Sequence, residues 1–303
     1  MAASKSDLPA LVTTDTRPSV PMHEIEPSPV DDESFSKSDP EKASPSRTNT
    51  SFLGLRALSL AQQWSTLGPA AYLSIHYVNT AIIPLLTQDA READKYLLLT
   101  RPFYQSFPLE QLLIFAPILT HVISGVALRI YRRRVNATRY GADTHEQRRT
   151  IPWPKLSLTS ALGYALYPMF VGHVLAMRII PKKIEGSSAG VGLRYFAHGI
   201  ARDPIVGNIG YATFVSVASF HFVTGAAKFL KLSREYITEG GEAGAAKKKW
   251  RGRIINGIAA TVAAVWISGA LGIVARSAGD AAPWEASNWD KIYRAIPIAG
   301  AMY

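Results

Sequence analysis

The chain has no cysteine. That absence removes disulfides, thiolate zinc sites, iron–sulfur clusters and cysteine nucleophiles together. A nucleophile elbow, a phosphate-binding loop and a metal-spaced ligand cluster are missing as well. An enzyme is therefore not expected, and neither is nucleic acid as a partner. Asp143, His145 and Glu146 do gather, but in a strongly charged loop, where such residues are ordinarily solvated. Charge is also scarce within five stretches, roughly 54–86, 109–128, 156–180, 205–230 and 254–275. Each is near or beyond the ~20 residues a helix needs to cross a bilayer. The expected fold class is all-α, a polytopic membrane bundle of five transmembrane helices over residues 51–275. A disordered tail at 1–50 precedes it and a short C-terminal tail at 276–303 follows.

Residues 1–50 are a different material. They hold seven Pro, fourteen Ser or Thr, five basic and nine acidic residues, a net charge of −4 against +14 for the rest. So polar a segment cannot bury enough apolar surface to offset its ordering. It lacks the apolar core of a secretory signal, and its acidic residues argue against a matrix presequence, so targeting is expected in the helices. Within it lies Pro18-Ser19-Val20-Pro21-Met22-His23-Glu24-Ile25-Glu26-Pro27-Ser28-Pro29. The prolines favour an extended polyproline II peptide, with Val20, Met22 and Ile25 as apolar anchors. Such peptides dock into grooves at low entropic cost. A plain Pro-rich linker has the same composition.

The helical part repeats itself. His121-Val122-Ile123-Ser124-Gly125-Val126-Ala127 returns as His221-Phe222-Val223-Thr224-Gly225-Ala226-Ala227. His76 precedes Ile82-Ile83-Pro84 by the spacing at which His173 precedes Ile179-Ile180-Pro181. The histidines are 45 apart in the first copy and 48 in the second. Ordered, evenly spaced matches indicate a duplicated two-helix unit. The last apolar run has no histidine and is rich in Gly, Ala and Ser, which allow close packing.

Counted from the run edges at ~1.5 Å per residue, His76, His121, His173 and His221 each sit about 12 Å inside, near the midplane of a ~30 Å core. An ionisable group there faces the bundle interior. Neutral imidazole is an axial haem ligand, and bundle interiors suit such cofactors. Histidines that knit helices through hydroxyls and backbone oxygens look the same in sequence.

Loop charge sets the orientation. Segments 129–155 and 228–253 hold eight Lys or Arg each, whereas 87–108, 178–205 and 276–303 hold three, five and three. Basic loops stay cytosolic, so the N-terminus is expected in the cytosol and the C-terminus across the membrane. The basic loops would also suit anionic headgroups of membrane phospholipids. Leu193, Phe196, Ala197, Ile200 and Ala201 share one helical face. They read as an interfacial helix, as do Tyr96-Leu97-Leu98-Leu99 and Phe103-Tyr104.

Several motifs then occur in order. They are Gly68-Pro69-Ala70-Ala71-Tyr72-Leu73-Ser74-Ile75-His76, Arg101-Pro102-Phe103-Tyr104-Gln105, Ala116-Pro117 leading to His121, Ser124-Gly125, the Arg132–Arg134 cluster, Gly163-Tyr164 through Gly172-His173, and His198-Gly199. Over about residues 52–275 the chain resembles the fungal Mdm-ten-complementing protein family. The resemblance implies a multi-pass protein of the mitochondrial outer membrane that acts in lipid homeostasis at membrane contact sites. It implies an adaptor that recruits the bridge-like lipid-transfer protein Vps-thirteen through a Pro-x-Pro motif. Pro27 and Pro29 match that motif, with Met22 and Ile25 as its apolar contacts. That family is distantly similar to the haem b-binding anchor subunits of succinate dehydrogenase, so a haem-carrying membrane subunit of a redox complex is the alternative. A membrane that receives lipid in one leaflet must also pass it to the other. His76, Asn79, Thr80, Ser124, His173, His221, Thr224 and Arg178 would supply a polar path for phospholipid scrambling without ATP.

Overall fold

The computed structural model describes residues 45–142 and 144–297. The tail motif of Met22, Ile25, Pro27 and Pro29 lies outside the described residues, as does Asp143. The described residues are helical, with no strand among them. Helix α1 is Pro45–Trp64. Helix α2 runs over 67–87 and α3 is Ala90–Thr100. Helices α4 (Gln111–Arg139) and α5 (Leu158–Glu185) follow. Then come α6 (Leu193–Arg202), α7 (Pro204–Phe229), α8 (Gly241–Asp280) and α9 (Pro283–Arg294).

Helices α4, α5, α7 with the turn after it, and α8 are long and apolar enough to cross a membrane. The first expected span, 54–86, is not one helix. It breaks at Ser65 and Thr66, whose hydroxyls turn back onto the carbonyls of Gln62 and Gln63. These hydroxyls offer the backbone an alternative to the helical ladder. Helix α2 then restarts at Leu67 with segments of 11, 5 and 5 residues, about 31 Å in all.

Four of the helices widen locally into a π turn, at Val78–Ile82, Gln111–Phe115, Leu175–Ile179 and Ser268–Ile273. In the first three a proline stands two residues beyond, at Pro84, Pro117 and Pro181. Proline has no N–H to donate and its ring collides with the carbonyl four residues back. A wider turn relieves the collision. In α2 the loosened backbone is tied by Thr80, whose hydroxyl donates to the His76 carbonyl and accepts from the Trp266 indole of α8.

The repeat is larger than the sequence pattern implied. The π turns of α2 and α5 are offset by the 97 residues that separate His76 from His173. Each copy is a helical stretch, an amphipathic helix and a long apolar helix: the end of α1 with α2, α3 and α4 in one, α5, α6 and α7 in the other. Helix α1 packs on α4 as α5 packs on α7, and α8 packs along α7 and against α2. The closest approach of α2 and α8 is at Gly269, where a Cβ would lie 2.3 Å from the Ala81 carbonyl oxygen. Ala81 itself is fully buried.

Helix α6 does not lie bare at an interface. Its face of Leu193, Ala197 and Ile200 is buried. Leu193 and Ala197 pack with α3 and with Val274 near the end of α8. Its other side is covered too, because Tyr195 stacks on Tyr293 of α9 at 4.6 Å. The short C-terminal tail expected at 276–303 thus includes a docked helix. Trp289, Ile292, Tyr293 and Ile296 join Ile180, Val191 and Tyr195 in one apolar cluster. Polar clamps complete the docking. Arg194 holds Glu285, and Asp290 accepts from His198 at 2.7 Å and pairs with Arg202. Burial, with a lesser push from Arg202, holds His198 below its ordinary range. Gly199 completes the fit, since a Cβ there would run into the Tyr293 ring.

Candidate functional site

The four helix histidines meet in two pairs, one residue from each repeat in each pair. His76 of α2 and His173 of α5 stand with ring centroids 6.1 Å apart. His121 of α4 and His221 of α7 stand 6.3 Å apart, nearly perpendicular. The pairs occupy two levels and not one midplane layer, which corrects the edge-counted estimate. His221 touches the carbonyl of Thr159, the second residue of α5, whereas His173 lies fourteen residues further along that helix. At ~1.5 Å per residue the levels are about 20 Å apart. The sequence estimate failed because the ends of the apolar runs are not the ends of the helices. Helix α5 starts only at Leu158, and α4 continues as helix well beyond Arg129.

The lower pair has matched supports. His121 Nδ1 lies 3.0 Å from the Gln62 carbonyl oxygen, and His221 Nδ1 lies 3.0 Å from that of Thr159. Gln62 and Thr159 are themselves 97 residues apart, so the duplication preserved the contact. A carbonyl only accepts, so each Nδ1 is the donor of its contact, and in a neutral imidazole Nε2 would be the nitrogen left to ligate. Gly163 makes room for the ring of His221, because a Cβ there would be 2.8 Å from its Cε1. In the upper pair His76 sits against Tyr72, Trp266 and His173. His173 Nδ1 is buried with no hydrogen-bond partner.

These features fit a haem better than a bare metal ion. Among the described residues no three ligating side chains gather. A structural zinc asks for about four protein ligands. The two imidazoles of a pair are the residues that would hold a haem iron. Backbone carbonyls that fix the tautomer, as at His121 and His221, are the usual supports of ligating imidazoles. Such a group, when bound, supplies one-electron chemistry.

The other expected path residues are engaged locally. Asn79 donates to Thr100 at 2.7 Å, Ser124 donates to the His121 carbonyl and Thr224 to the Phe220 carbonyl. Asn79 thus bonds across to α3, whereas Ser124 and Thr224 bond within their own helices. Arg178 forms a bidentate pair with Glu110, both oxygens at 2.7 Å. Sequence reading missed Glu110, because one carboxylate near a span edge looks like a loop residue. It missed Arg101 as a structural centre as well. Arg101 donates to the carbonyls of Ser188, Ala189 and Val191, and so fastens the turn between α5 and α6.

No curated protein and no solved structure matches the chain. Residues 168–278, which run from the middle of α5 to the end of α8, match the family model described as MDM10-complementing protein 1, transmembrane domain. The match includes His173, the π turn after it, His221 and the close-packed Gly269. This stretch, just over a third of the chain, is thus similar to the transmembrane domain of the MDM10-complementing protein family.

Proposed function

We propose that the protein is an adaptor of the mitochondrial outer membrane that holds a bridge-like lipid-transfer protein of the Vps-thirteen type at a contact site. The observation that supports this reading is the family transmembrane domain at 168–278 in a chain that also carries an acidic, Pro-rich segment with Pro27-Ser28-Pro29. In this reading the helices fix the protein in the membrane and the tail catches the partner. Helix α2, about 31 Å long, acts as the fifth span beside the four longer ones. Five crossings put the tail and both eight-charge loops in the cytosol and α9 in the intermembrane space. Deleting residues 1–50 is expected to remove the lipid-transfer partner from pulldowns while the protein stays in the membrane. Protease added to intact mitochondria is expected to remove an N-terminal tag and spare a C-terminal one. Retention of the partner without residues 1–50, or protection of the N-terminal tag, overturns the proposal.

The histidine pairs favour a second reading, a haem-binding membrane subunit of a redox complex. His121 with His221, and His76 with His173, would hold the iron. Protein purified from cells with ample haem is then expected to show a low-spin Soret band, and His121→Ala or His221→Ala to remove or shift it. A colourless wild-type protein returns all four residues to a packing role.

A further inference from the structure

At the end of α5 remote from Leu158, the structure holds an open basic cleft of about 460 Å³. It lies between α3, the turn Pro102–Gln105 and the segment that leaves α5. Arg101, Arg178 and Lys182 line it, with the backbone of 186–189 as its far wall. Helix α5 is 28 residues long, about 42 Å, and so outruns a ~30 Å hydrocarbon core. Its last turns, and the cleft with them, therefore reach the headgroup layer.

The charges there do not cancel. Glu110 answers Arg178. Glu185, next to the cleft, is turned to Asn288 of α9 at 3.2 Å. Asp94 is spent on the first N–H groups of α6, at Leu193 and Arg194. Arg101 meets only carbonyl oxygens, and its Nε is buried without a partner. Lys182 is exposed and makes no ion pair among the described residues. Three cations stand against Glu110 on Arg178 and the Asp94 carboxylate that acts on Arg101, which leaves an excess of one positive charge, with the exposed Lys182 unpaired at the opening. Both guanidinium groups are held in place by protein acceptors, so their charge is fixed beside the opening while the exposed ammonium of Lys182 is the donor left for an anion.

We propose that this cleft binds the phosphate of an anionic phospholipid in the leaflet opposite the basic loops. Phosphate chemistry alone would also admit a soluble phosphate. The apolar rim argues for a lipid. Leu98 lines the cleft, and Leu99 and Phe103, on the same helix and the turn after it, are each 69% exposed. Large apolar side chains bare at headgroup depth lie against acyl chains. The inference rests on the chain spanning a membrane and not on the partner bound by the tail, so the two can fail separately.

The test uses the full-length protein in neutral detergent, with retained ligand read by native mass spectrometry. The probes are dioleoyl phosphatidic acid, dioleoyl phosphatidylcholine and inorganic phosphate. Phosphatidic acid is expected to be retained about tenfold over phosphatidylcholine, in line with a charge-assisted contact to Lys182. Lys182→Gln, at an exposed and unpaired position, is expected to lower that retention several-fold without loss of the fold, and Arg101→Gln to lower it further. Lys249→Gln, in the basic loop, is expected to leave it unchanged. Equal retention of the two lipids by the wild type, or wild-type retention by both cleft variants, overturns the proposal. Inorganic phosphate that binds alone and displaces the lipid overturns the lipid assignment in favour of a soluble anion.

Discussion

Glu110→Ala is expected to lower the stability of the folded bundle by about 2–4 kcal/mol, read as a fall of several degrees in the melting temperature in detergent. Glu110 and Arg178 are 11% and 19% exposed in their side chains, and they pair through two bonds of 2.7 Å. Removing the carboxylate leaves a guanidinium in a part-apolar setting with only Ser188 and Gln105 to receive it. The range sits a little below that for a fully buried pair because both groups retain some solvent. The contact also joins the two repeats, since Glu110 immediately precedes α4 and Arg178 belongs to α5. Loss at Glu110 should therefore loosen the bundle and not merely a loop. The double replacement Glu110→Gln with Arg178→Gln is expected to recover part of the loss, because no charge is then left unpaired. A single variant as stable as the wild type would show that water already shields Arg178, and would remove this pair from any account of the fold.

Much of the architecture was legible before the structure. Run length gave four of the spans, and the shared His and Ile-Ile-Pro spacings gave the duplication. What failed in the first span was local. Ser65 and Thr66 look like ordinary polar residues in an apolar run, yet adjacent hydroxyls that bond the preceding turn end a helix there. The depth of the histidines failed for a different reason. Hydropathy marks where apolar residues stop, while the backbone contacts of His121 and His221 depend on where α1 ends and α5 begins. The pairing of histidines across repeats was not legible at all, because periodicity along one chain does not say which helices become neighbours. The docked α9 was hidden as well. Its apolar residues Trp289, Ile292 and Tyr293, with Ile296 just beyond, form too short a stripe to signal a span, and their partner Tyr195 lies 98 residues before Tyr293. Even so, the signal was present in part. His198-Gly199 stood out as a motif, and both residues serve that docking.

Pro27→Ala combined with Pro29→Ala is expected to abolish recruitment of the lipid-transfer partner, a loss of thirtyfold or more in affinity, while membrane insertion is unchanged. The reasoning is additive. Each proline removes about 0.4–1 kcal/mol of conformational freedom from the free peptide, which an alanine restores. Alanine keeps Cβ, so each change also removes two ring carbons, whose burial in a groove contributes up to about 1.6 kcal/mol. Half of that contact energy from each ring, with the entropy, exceeds the ~2 kcal/mol that a thirtyfold change requires. Met22→Ala and Ile25→Ala should each weaken binding less, because each removes one apolar anchor and leaves the extended backbone in place. Insertion depends on the apolar helices, whose sequence these variants do not touch. The measurement is a titration of the purified partner onto full-length protein in nanodiscs, wild type beside the double variant. Unchanged affinity in the double variant would place recruitment elsewhere, with the basic loops at 129–155 and 228–253 as the next surfaces to test.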